Sequence, residues 1–214
     1  MRRLKHYNRK LLFAGLLSFI LFIQACERKV EKEEDCNFVQ NSLVQRVSWE
    51  GNLPVKFFVH ESVPVEYLVK VHSAVDRWNA LRAEGEAPFF EIVAEGVNGE
   101  VDLRDRVNTI YFQEVWEDSN EKEQGRASIH WVGSRILEAD ILINDYNFDF
   151  SITDYVEIGR VDFESLMVHE LGHTLGLEHN DGDEISVMRT YLAKGDDRRE
   201  IQEADLGSLS CEYL

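Results

Sequence analysis

Residues 169–179 read HELGHTLGLEH and fit H-E-x-x-H-x-x-G-x-x-H at every fixed position. Three imidazoles and a carboxylate at that spacing are what a catalytic zinc needs. On a helix, His169 and His173 at i and i+4 project from one face one turn apart, so two nitrogens can grip one ion. Glu170 is rotated about 100° from His169, which sets its carboxylate beside the metal as a general base rather than a ligand. Gly176 tolerates positive φ, ends the helix, and lets the chain swing His179 back toward the same ion. Three neutral imidazoles leave the fourth tetrahedral position open to water. A zinc ion lowers the pKa of that water from 15.7 toward about 7 and polarises a carbonyl oxygen, and peptide-bond hydrolysis uses both effects. An amphipathic helix with surface histidines would account for a bare H-E-x-x-H, but not for the added glycine and third histidine at fixed offsets.

With this motif the chain resembles the metzincin clan of zinc endopeptidases, in which a methionine-containing turn follows and lies beneath the metal. Ser186-Val187-Met188 fits that turn. The resemblance makes Met188 an apolar floor under the imidazoles, not a ligand; without the histidine motif it would read as a loop or core methionine. Gly125–Val132 (GRASIHWV) and Glu138–Asn144 (EADILIN) resemble the last two strands of a matrixin-type catalytic domain, the first of them the sheet edge above the cleft. The resemblance runs from about Val47 to the C-terminus. An exposed edge beside the metal would take an extended peptide as an added strand, so the expected partner is a protein or peptide substrate.

Departures from the family pattern limit what is carried over. Asn180 stands where matrixins usually have Ser, which leaves the subfamily open. The second, structural zinc of matrixins uses a His-x-Asp pair that is absent after His60, His72 and His130, so one catalytic zinc is expected. Some relatives place a transition-state-stabilising Tyr two residues after the Met, whereas Tyr191 is three after Met188; a packing role is expected for it. Asp145, Asp149, Asp154, Glu157 and Asp162 form an acidic stretch before the active-site helix. Relatives bind calcium in comparable loops, making Ca2+ the second candidate ion, but without a fixed calcium-loop spacing the stretch reads as a solvated loop.

The amino terminus sets the expected location. Arg2, Arg3, Lys5, Arg9 and Lys10 precede an uncharged apolar run from Leu11 to Ile23, the n-region and h-region of a secretory signal. A membrane-spanning helix needs about 20 apolar residues, so export fits better than a permanent anchor. Ile23-Gln24-Ala25-Cys26 resembles a bacterial lipobox. That would make residues 1–25 a lipoprotein signal peptide and Cys26 the lipidated terminus, followed to residue 46 by a tether whose charged first part cannot bury apolar surface. The expected location is the bacterial cell envelope, membrane-anchored through lipid, with the catalytic domain outside the cytoplasm and on the outer membrane in a Gram-negative cell. Removing residues 1–25 takes away five cations and no acids, from a formal charge of −17 to −22. Nucleic acid is thereby disfavoured as a partner. Cys36 and Cys211 stand at the two ends of the folded region in a compartment that permits oxidation, and a disulfide is expected. The alternative is that Cys36 caps the zinc like the cysteine switch of matrixins.

The elements that must position this chemistry follow from periodicity. Val55–Val59 reads as a strand, and Ser62 as the cap of a helix with Pro64 in its first turn. Val65, Leu68, Val71, Val75, Trp78 and Leu81 recur at helical spacing to about Arg82 and read as core. Phe89–Val93 and Thr109–Phe112 are further strands, and a last helix begins at about Arg199. The expected fold is α+β: a metzincin-like zincin domain over residues 47–214, with a twisted mixed five-stranded sheet, two long helices, a zinc cleft, and a small C-terminal part ending in a helix. The leading function is a zinc endopeptidase acting on proteins at the cell envelope, its zinc-bound water activated by Glu170. The competing class is a non-catalytic envelope lipoprotein binding a peptide or partner in a zinc-stabilised cleft.

Overall fold

A computed structural model describes residues 36–183 and 185–214; the expected signal peptide, Cys26 and the first part of the expected tether lie outside the described residues. Strand β1 (Val55–His60) is followed by helix α1 (Leu68–Asn79), then by β2 (Phe90–Val97), β3 (Asn108–Gln113), β4 (Gly125–Val132) and β5 (Arg135–Asn144). Two-residue strands β6 (Phe150–Ser151) and β7 (Val161–Asp162) lead into α2 (Phe163–Thr174), and α3 (Glu203–Leu209) closes the chain.

The five long strands form one mixed sheet in the order β2-β1-β3-β5-β4. All neighbours are parallel except β4, which runs antiparallel to β5 at the sheet's edge. The alternation expected of a half-buried strand is clean in β1, where Val55, Phe57 and Val59 are buried and Lys56 is exposed. In the interior strands β3 and β5 it gives way to nearly continuous burial, as strands covered on both faces require.

Both 12-residue helices pack together. Helix α1 buries Val71, Ala74, Val75 and Trp78, and the Trp78 indole donates to the Val168 carbonyl of α2 at 3.0 Å. Helix α2 is buried almost all round, with only His169 and His173 partly open. Its N-cap is Asp162, whose carboxylate accepts from the Ser165 amide at 3.0 Å and the Ser165 hydroxyl at 2.6 Å, satisfying an orphan donor of the first turn.

Several expectations are corrected here. Ser62 does not cap α1: it bonds the His60 ring and accepts from the Phe112 amide at 3.0 Å. Pro64 and a 3-10 turn at Val65–Tyr67 precede the helix instead, which leaves Val65 77% exposed rather than in the core. The helix also stops at Asn79, whose side chain exchanges two hydrogen bonds with the Phe90 backbone and so ties it to β2. The last helix starts at Glu203, because Arg199 is drawn away into a bidentate ion pair with Asp162. Of the acidic stretch, Asp145, Asp149, Asp154 and Glu157 are exposed, as a solvated loop requires, and only Asp162 is fully buried. Residues 36–46, expected as the end of a tether, fold onto the domain: Phe38 is fully buried and bridges Leu177, and Cys36 is joined to Cys211 by a disulfide spanning 175 positions.

Candidate metal centre

The three motif histidines converge. His173 Nε2 lies 3.0 Å from His169 Nε2 and 3.2 Å from His179 Nε2. The opposite ring nitrogens are anchored to backbone carbonyls, His169 Nδ1 to Val187 at 2.8 Å and His173 Nδ1 to Leu177 at 2.7 Å. A carbonyl only accepts, so both Nδ1 atoms carry the proton and both Nε2 atoms present bare lone pairs inward. Lone pairs facing each other at that distance repel unless a cation lies between them. Two nitrogens bound tetrahedrally to one zinc at 2.0–2.1 Å would be about 3.3 Å apart, close to the spacing here. The residues fit a metal ion, and the carbonyl anchors are the outer interactions that fix tautomer and ring orientation around such ions. Burial, reinforced by His173, holds His169 well below the ordinary histidine range, and burial pushes His173 down to about 4. Both are therefore neutral at neutral pH, the form that can bind a metal ion.

His179 is placed by a sharp turn. Gly176 has φ +98°, and a Cβ there would sit 2.1 Å from the Val47 carbonyl oxygen, so neither conformation nor space admits a side chain. The N-terminal segment braces this turn: the Val39 amide donates to Gly176 at 2.8 Å and the Glu178 amide to Asn37 at 2.6 Å. Trp49 adds a bond from its indole to the Thr174 carbonyl at 2.8 Å, and from the other end of the chain Tyr213 donates to the Leu175 carbonyl at 2.7 Å.

Met188 is buried beneath α2, its sulfur packed so close that a Cβ on Gly172 would lie 2.3 Å away. The turn carrying it is organised by Asp205 of α3. That buried carboxylate accepts from the Ser186 hydroxyl at 2.5 Å and the Val187 amide at 3.2 Å, while the Ser186 hydroxyl oxygen accepts from the Met188 amide at 3.0 Å. Asp205 thus acts on His169 through Val187. Asn180 and Asp181 close the segment after His179, the first donating to Met188 and the second accepting from Thr190.

Glu170 points from α2 toward β4. It is 3% exposed, it accepts from the Ala127 amide, and Oε2 has no partner among the described residues. Burial, with a smaller contribution from Glu123, raises its carboxyl to about 8 in the metal-free site. A cation held by the imidazoles would favour its charged form and bring that value down. Space for the carboxylate comes from Gly125, where a Cβ would lie 2.9 Å from Glu170 Oε1.

A cleft of about 710 Å³ opens over these groups, bounded by β4 on one side and by Val187 to Leu192 on the other. The Ala127 amide faces the cleft rather than β5, so the outward backbone groups of the β4 edge line the opening. Tyr191, expected to be a packing residue, is instead 70% exposed on the cleft rim. Cys36, as one half of the disulfide, is not a fourth metal ligand. Gly125, Asp205 and the Asn37–Val39 brace were not evident in the sequence, since each acts through tertiary contacts; a glycine at the head of an edge strand is the one local hint.

The sequence profile of the matrixin family, described as Matrixin, matches residues 49–213. No curated protein matches the chain.

Proposed function

The chain belongs to the matrixin family, and we propose that it is a zinc-dependent endopeptidase that cleaves protein substrates at the bacterial cell envelope. The observation that carries this reading is the meeting of three inward Nε2 atoms, two of them with bare lone pairs, with a buried carboxylate, Glu170, from the helix that bears His169 and His173. When bound, zinc supplies an acidified water and a polarised scissile carbonyl. His169, His173 and His179 hold the ion. The extended substrate lies along β4 and hydrogen-bonds its outward backbone groups. Glu170 takes the proton of the attacking water at its carboxylate and returns it to the departing amine. A carboxyl that burial pushes upward and a cation pulls downward can be tuned near neutral pH, which favours both transfers.

The envelope location and lipid attachment are supported by the apolar run Leu11–Ile23 and by Ile23-Gln24-Ala25-Cys26. The test is peptide release from a denatured protein mixture by the full chain, with bound zinc quantified, before and after chelation. Cleavage that disappears with chelator and returns with zinc supports the endopeptidase. Stoichiometric zinc without cleavage of any peptide contradicts it and favours a cleft that only binds.

A further inference from the structure

Among the described residues Arg198 has no carboxylate within salt-bridge distance, and Asp196, Asp181 and Asp205 act on it only from farther off. Arg46, Arg77, Arg82, Arg126, Arg160 and Arg199 each face a carboxylate within salt-bridge distance, and Arg198 faces none among the described residues. It is nonetheless half-buried in the wall of the cleft beside His169, Ser165 and Leu192. Its guanidinium is held in place by carbonyls alone: Nη1 donates to Ser186 at 3.3 Å and Arg189 at 3.1 Å, and Nη2 donates to Tyr191. The Arg198 amide donates to the Ser165 hydroxyl at 2.7 Å. These bonds orient the group but do not neutralise it, and they use three of its five N–H donors. Nε–H and one Nη2–H remain, the pair that a carboxylate engages as a fork. A partly desolvated charge without a partner is costly to keep, and in a chain of formal charge −17 a carboxylate could readily have been supplied from within.

We propose that Arg198 determines specificity, its free guanidinium edge receiving the carboxylate of an acidic substrate side chain beside the scissile bond. The inference rests on the cleft being the peptide site. Leu166, Val187 and Leu192 line the same wall, so a glutamate can lay its methylenes on apolar surface and reach the guanidinium with its head.

The test is affinity, independent of turnover. Zinc-loaded full chain is titrated with short peptide hydroxamates that differ only in carrying Glu, Gln or Leu next to the metal-binding group. Glu is expected to bind about tenfold or more tighter than Gln, as a charge-assisted fork implies. That ratio should shrink as salt rises toward 1 M, where the screening length is about 3 Å. Arg198→Gln should bring the ratio to about one, with Arg198→Lys intermediate. If Arg198→Gln does not fold, the wild-type ratio and its salt dependence still decide. Equal or tighter binding of Gln or Leu by the wild type overturns the assignment and leaves the endopeptidase reading intact. Failure of every hydroxamate to bind zinc-loaded protein overturns both.

Discussion

Replacing Gly125 by Ala should damage catalysis far more than stability. Gly125 begins β4 with no positive φ, so its backbone suits any residue, and what it provides is room. The added Cβ would lie 2.9 Å from Glu170 Oε1 and 3.3 Å from both Cδ and Cγ. Ordinary contact begins near 3.4 Å, so the carboxylate must retreat by about half an ångström. It is the end of a flexible side chain, and the move is cheap; loss of a strand glycine even returns about 0.5 kcal/mol of backbone entropy. Net stability should change by less than about 1 kcal/mol. Catalysis is less forgiving, because a misplacement of about 1 Å can cost on the order of 100-fold. Half that displacement, with the Ala127 hydrogen bond disturbed, predicts a fall in kcat of roughly tenfold. The assay is kcat and KM on one peptide alongside zinc stoichiometry and thermal melting. The expected pattern is reduced kcat with zinc and Tm retained. Unchanged kcat, or a loss of zinc parallel to the loss of rate, would refute the role given to this glycine.

Other perturbations separate the remaining contacts. Gly176→Ala meets both positive φ and the Val47 carbonyl at 2.1 Å; it should lower stability by more than about 1 kcal/mol and weaken zinc binding, read by competition with a chromogenic chelator. Asp205→Asn keeps the shape but weakens the charge-assisted bonds to Ser186 and Val187. It should cost about 1–2 kcal/mol and reduce zinc affinity through His169, whereas a stability loss with zinc affinity unchanged would contradict that linkage. Cys36→Ser opens a cross-link spanning 175 positions, and chain entropy predicts a loss of up to about 5 kcal/mol in denaturant unfolding. The Glu170 carboxyl titrates near 4.5 unfolded and at about 8 in the metal-free fold. Between these values the native state holds the extra proton, so this group makes stability fall as pH rises, by on the order of 3–5 kcal/mol at most. Comparing metal-free wild type with Glu170→Gln across pH 4.5 to 8 should show a slope that the variant lacks.

The three histidines and Glu170 were legible because local spacing carries them: i, i+4 on one helix and a glycine where φ must be positive; the turn at Met188 was legible through the family resemblance. The strands around Val55 and Ile110 were legible from period and composition. What escaped is tertiary. The pattern at Val65 continues helical spacing, yet Pro64 and the 3-10 turn rotate it into solvent. Arg199 looked like the start of a helix because nothing local reveals that Asp162, 37 positions away, captures its guanidinium. The short segment Asn37–Val39 gave no sign that its backbone would pair with Gly176 and Glu178. Gly125 and Asp205 belong to the same class, since their roles exist only once β4 and α3 are set against α2 and its following turn.

The central claim is that Glu170 moves the proton while the three histidines hold the metal. It is tested most directly by kcat of Glu170→Gln against wild type at matched, measured zinc occupancy. Full zinc and an unchanged melting temperature with hydrolysis reduced by at least about 100-fold, the range general-base catalysis supplies, is the predicted result. Turnover within a few-fold of wild type at full zinc would contradict it.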